Sequence, residues 1–134
     1  MRFSPAIGFL AFLVGCQSPE RVVVRPLPDD AAPMAFSEVL SRSRSLANQA
    51  NEQFFLDSWA ELEQSANALE QSARFLKRSS MVPAVHQPVL ITRAEEMERD
   101  SKDLATAAQG KNVDRANALL RRINAAVRSF GIIN

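Results

Sequence analysis

The 134-residue chain contains one cysteine, one histidine, no tyrosine and four glycines. A single cysteine excludes an intramolecular disulfide and a C-x-x-C motif. A single histidine cannot build a zinc site, which takes three or four ligands drawn mainly from Cys and His. Nor can it supply the two Glu-x-x-His pairs of a di-iron bundle. The scattered glycines form neither a phosphate-cradling loop nor a G-x-S-x-G elbow. No triad or carboxylate pair is placed so as to compel acid/base chemistry. These absences point away from an enzyme, a metal protein or a resident cofactor. Charge of one sign is missing too: 16 basic against 15 acidic side chains is not the basic excess of a nucleic-acid binder.

What is present begins at the N-terminus. Arg2 precedes an apolar run from Phe3 to Val14. About a dozen apolar residues are too few for a bilayer, which needs roughly 20, so the run reads as an export signal. Leu13-Val14-Gly15-Cys16 closes it and resembles the lipobox of a bacterial lipoprotein. The resemblance implies that the Cys16 thiol receives a diacylglyceryl group and that residues 1–15 are removed as a signal peptide. Two acyl chains, at about 0.8 kcal/mol per buried CH₂, suffice for stable anchoring. The competing reading is an ordinary secretory signal with an incidental cysteine. Gln17 stands where an inner-membrane lipoprotein often carries aspartate, so the outer membrane is the favoured address, with the chain facing the periplasm. Removing residues 1–15 from 134 takes away only one charge, Arg2, and leaves 15 basic and 15 acidic side chains.

Residues 16–35 carry four of the seven prolines, with Val22-Val23-Val24 and Asp29-Asp30 between them. This composition suits an extended tether reaching on the order of 60 Å. The valine run also suits a short strand, though no partner strand is evident, and the segment also suits packing against whatever follows it.

From Phe36 onward the apolar spacing is helical. Phe36, Val39, Ser43, Leu46 and Ala50 form one stripe. Phe55, Trp59, Leu62, Ala66, Leu69, Ala73 and Leu76 form a second. Leu90, Ala94, Met97, Ser101, Leu104 and Ala108 form a third, and Val113, Ala116, Leu120, Ile123, Val127 and Phe130 a fourth. The expected helices span about 36–52, 56–79, 88–109 and 112–130, within a single domain at 36–131. Pro83 breaks the second connection and Pro88 suits a helical first turn. In the third, Gly110 suits a C′ position and Asn112 an N-cap. The first connection has neither Gly nor Pro. It rests on a two-residue phase shift between Ala50 and Phe55 and on Ser58-x-x-Glu61 as a capping box; one continuous helix is the alternative. Four stripes and short connections predict an all-α, antiparallel up-down-up-down four-helix bundle.

The stretch Leu104-Ala105-Thr106-Ala107-Ala108-Gln109-Gly110-Lys111-Asn112-Val113-Asp114-Arg115-Ala116, followed by Leu119-Leu120 and ending near Phe130, resembles the last hairpin of the cytochrome c-prime family and its soluble b-type relatives. The resemblance implies the same four-helix fold. In that family a C-x-x-C-H haem motif precedes a phenylalanine on the last helix. Anchored on Phe130, the corresponding residues are Ile123-Asn124-Ala125-Ala126-Val127, which lack both thiols and the imidazole. The b-type relatives use a methionine on helix one and a histidine on helix four. Here Met34 lies just before helix one, and helix four has no histidine. The expectation is a bundle that has lost haem.

The remaining candidates each carry a plainer reading. His86, between Pro83 and Pro88, is a ligand or base only if a loop residue finds partners. Glu95, Glu96, Glu98, Asp100 and Asp103 on helix three, interleaved with Arg93, Arg99 and Lys102, suit a solvated face with i,i+4 pairs better than a calcium site. Lys111, Arg115, Arg121, Arg122 and Arg128 make helix four basic. That face suits packing beside acidic helix three, and Arg115, Arg121, Arg122 and Arg128 are the candidate interaction face for a partner. Phe54, Phe55 and Trp59 form an aromatic patch suited to bundle-end packing or to binding. The expected function is a lipid-anchored, non-catalytic interaction or accessory module of the cell envelope, bound to the membrane through Cys16 and to an envelope protein partner. The alternative is a small-molecule carrier or sensor.

Overall fold

The computed structural model describes residues 24–133. The signal segment and Cys16 therefore lie outside the described residues. Four helices account for the fold: α1 (Phe36–Phe55), α2 (Trp59–Lys77), α3 (Gln87–Gln109) and α4 (Val113–Phe130). They pack in a closed ring: α1 touches α2 and α4, and α3 touches α2 and α4. The diagonal pairs α1/α3 and α2/α4 make no comparable contact. The expected four-helix bundle is the observed fold.

The stripes close against one another. Leu46, Ala50, Leu62, Ala66, Leu69, Ala73, Leu76, Ala94, Met97, Leu104, Ala116, Ile123 and Phe130 are wholly covered. Room for a water molecule beside any of them would leave surface uncovered, so these seam positions are filled. The two serines of the expected stripes, Ser43 and Ser101, are also buried. Ser43 Oγ meets Ser72 Oγ at 2.6 Å and donates to Val39 O at 2.9 Å. Ser101 Oγ has no hydrogen-bond partner. Small residues at these levels let the helices approach closely.

Two stripe residues depart from expectation. Phe55 and Val113 belong to the apolar spacing, yet both are exposed. Each sits at the terminal turn of its helix, where no neighbouring helix continues to cover it. α1 runs three residues past the expected 52, ending in a tight connection at 56–58. Asp57 takes φ 54° there, which breaks the continuous-helix alternative. Ser58 makes no side-chain cap bond, so the expected capping box is not formed; its carbonyl instead accepts from Leu62 N at 2.9 Å.

At the third connection Asn112 caps α4 as expected, its Oδ1 accepting from Arg115 N at 3.0 Å. Gly110 does not take the left-handed position: its φ is −83°. Lys111 does, at φ 49°. A Cβ in that region costs roughly 1 kcal/mol or more. Lys111→Gly is therefore expected to stabilise the protein by about 0.5–1 kcal/mol, after allowing for the flexibility that glycine adds to the unfolded chain. A thermal midpoint unchanged or lowered would contradict this.

Residues 24–35 lie along the bundle as a strap. Val24, Leu27, Ala31 and Met34 pack on the core. Pro28 O accepts from Ala31 N at 3.0 Å, forming a turn at the aspartates. At its end the strap pairs with the α2–α3 connection: Ser80 N donates to Met34 O at 3.0 Å, and Phe36 N to Ser80 O at 3.1 Å. This isolated parallel bridge, Ala35 with Ser80, is the only β-pairing among the described residues. Of the Pro-rich segment read as an extended tether, the described part is thus docked, the packed form that its composition also allowed; Val22 and Val23 are outside the described residues.

Candidate functional site

Chemistry-bearing side chains gather along three lines: the strap groove, the α3–α4 surface and the aromatic end. The strap groove is held by Gln71, on α2 and buried. Its Oε1 accepts from Leu27 N at 3.0 Å, and its Nε2 donates to Leu27 O at 2.5 Å and to Asp29 Oδ1 at 3.0 Å. One carboxamide therefore satisfies both backbone groups of Leu27, as an opposing strand would. Arg78 Nη2 donates to Asp29 O at 2.9 Å, Arg42 Nη2 donates to Arg25 O, and Arg74 stands 3.7 Å from Asp29 Oδ1. Where the described strap begins, a cleft of about 430 Å³ opens between α1 and α2, lined by Val24, Leu46, Gln49, Gln64 and Ala68 among others. Gln71 was not singled out from the sequence. The sequence carried no signal for it, because it lies opposite the apolar stripe of α2 and is buried by the strap.

On the α3–α4 surface the acidic and basic helices do lie together. Asp103 pairs with Arg115 at 2.7 Å and Asp100 with Arg122 at 2.7 Å. Glu98 pairs across to Lys77 of α2 at 2.5 Å. The expected i,i+4 pairing within α3 is not what holds these three carboxylates; their partners come from neighbouring helices. Burial pushes the Asp100 carboxyl above the usual range, and Arg122 opposes that rise. Of the four arginines read as an interaction face, Arg115 and Arg122 are thus engaged within the bundle. Arg121 and Arg128 are exposed, and no ion pair joins them to another described residue. Among the described residues, no three His, Cys, Asp or Glu side chains converge as a metal would require. His86 ends a short 3-10 turn (Ala84–His86) at the start of α3.

Residues 123–127, where the cytochrome resemblance would set a haem motif, carry no haem-ligating chemistry. Ile123 and Val127 point into the filled core. Asn124 is tied to Asn51 by reciprocal amide bonds of 3.0 and 3.1 Å. None of the five residues at 123–127 offers a thiol or an imidazole.

At the aromatic end, Phe54 packs edge-on against Phe55 at 5.8 Å and against Trp59 at 5.9 Å. Phe54 and Trp59 rest partly on the core. Phe55 and the adjoining Leu56 face outward, 82% and 56% exposed. Neither of the two expected uses of the patch covers it fully: half of it is packing and half is open surface. No described helix is long and apolar enough to cross a membrane. The chain matches no family model, no curated protein and no solved structure.

Proposed function

We propose that this protein is a lipid-anchored bundle of the bacterial cell envelope, held at Cys16 and acting as a non-catalytic interaction module through its outer surface. The supporting observation is the distribution of its chemistry. The seam positions are closed by alanine, leucine and a paired serine, while the ionisable groups other than Asp100 lie outside the core, and three cross-helix ion pairs, Lys77–Glu98, Asp103–Arg115 and Asp100–Arg122, fix the helices' relative positions. Such a body offers surfaces and a fixed shape. The filled seam weighs against a ligand held inside the bundle and leaves the carrier reading only the open cleft beside Val24. Export follows from the N-terminal segment, and the outer membrane from Gln17 after the modified cysteine.

The anchor is tested by Cys16→Ser. This variant should abolish fatty-acid labelling in cells and shift the protein from the membrane fraction or leave it as precursor. Labelling at the unmodified level would rule out this attachment site. For the interaction role, photo-crosslinkers at Arg121 and Arg128 should recover the same envelope protein in independent preparations. Recovery of none across growth conditions would overturn that role.

A further inference from the structure

The strap has a direction, and that direction assigns an orientation. Followed backwards from Met34, its partners move from Ser80 in the α2–α3 connection through Arg78, just past the end of α2, to Gln71 within it, and the groove at Val24 is lined by Gln64 and Ala68. The chain therefore runs toward the α1–α2 hairpin as it approaches its own N-terminus. Gln49 also lines the groove, and six further residues of α1 lead from it to Phe55, about 9 Å at helical rise. Residues 16–23 span at most about 28 Å. An anchor at residue 16 thus keeps the bundle within one tether length of the membrane, with the aromatic hairpin on the side the strap leads to.

That hairpin carries the chemistry of an interfacial contact. Phe55 and Leu56 project from it, and Trp59 and Phe54 stand half-buried behind them. Aromatic side chains with one apolar and one wetted side favour the headgroup boundary. Glu52, Asp57, Glu61 and Asp114 outnumber Lys111 and Arg115 among the exposed charges around this end, which favours a zwitterionic surface over an anionic one. The opposite end exposes more apolar side chains, Met81, Val85, Val89 and Ile132, but no aromatic ones, and the strap leads away from it. Resting on the anchor at Cys16, we infer that the α1–α2 hairpin seats on the lipid surface, with Phe55 and Leu56 entering the headgroup region and the bundle standing up from the membrane.

Trp59 is the chain's one tryptophan and there is no tyrosine, so its fluorescence reports on this end alone. The full-length protein, extracted from bacterial membranes, is reconstituted into phosphatidylcholine vesicles carrying brominated acyl chains. In a parallel sample the chain from Cys16 onward is joined through its single thiol to a maleimide lipid in the same vesicles. Trp59 should be quenched in both, and Phe55→Ser with Leu56→Ser should reduce that quenching several-fold while leaving the helical signal intact. Unquenched Trp59 in the thiol-coupled sample overturns the seating, whatever the cell does to Cys16. Quenching in that sample but not in the cell-derived one upholds the seating and overturns the lipid anchor instead.

Discussion

Replacing Leu69 by alanine is expected to lower stability by about 3–5 kcal/mol. Leu69 is wholly covered on α2, the helix that shares its flanks with α1 and α3. Its removal costs the transfer of the lost carbons from water plus the void left between helices that are already in contact. Against a total of about 5–15 kcal/mol for a domain of this size, that is a large share. The converse change, Ala73→Leu, inserts volume one turn further along the same filled seam and should cost about 1–3 kcal/mol. Denaturant midpoints at unchanged slope measure both. If Leu69→Ala cost less than about 1 kcal/mol, or Ala73→Leu stabilised the protein, there would be spare space between the helices. The carrier reading would then return.

The second large effect is local. Gln71→Ala leaves the N–H and C=O of Leu27 without partners, a cost of about 1–3 kcal/mol. At about 2 kcal/mol, hydrogen exchange at the Leu27 amide should accelerate roughly thirtyfold, with little change at amides of α3. Gln71→Glu has the same shape and should loosen the strap further at neutral pH. It keeps the acceptor for Leu27 N but loses both donors, and it sets a second carboxylate where the amide now lies 3.0 Å from Asp29 Oδ1. Protonation should relieve that repulsion, so acidification should raise the protection factor of the Leu27 amide in the Glu variant, its exchange rate being taken relative to an unstructured amide at the same pH. Equal protection of Leu27 in all three proteins would show that apolar packing alone holds the strap.

The bundle was legible because its signal is distributed. Seam residues such as Leu62, Ala66, Leu69, Ala73 and Leu76 repeat one spacing, and no single one has to be right. Asn112 was legible because a cap acts on its own neighbours. The failures are residues whose surroundings are made elsewhere. Phe55 and Val113 keep the periodicity but lie where the covering helix has ended. Ser58 has the capping-box spacing, yet the tight connection through Asp57 gives its backbone another route. Gly110 marks the right turn one residue early, because the left-handed slot falls on Lys111. The placing of basic α4 beside acidic α3 was legible, while the pairing of Asp103 with Arg115 and Asp100 with Arg122, in place of i,i+4 pairs within α3, needs the helices' relative rotation. Gln71 was out of reach: it lies on the side of α2 opposite the stripe of Leu62, Ala66, Leu69, Ala73 and Leu76, where a glutamine looks like ordinary solvent-facing surface until the strap that it serves is in place.

The strap lies lengthwise in its groove, and this sets how the molecule bears load. A pull on its free end, directed along α2 toward Trp59, acts parallel to the groove. The contacts of Arg25, Leu27, Asp29 and Met34 then share the tension together and fail in shear. A pull at right angles would strip them one after another at much lower force. Tension arriving along the chain from the hairpin side would therefore meet the stiff direction of the attachment, and the bundle would move as a whole before the strap gave way.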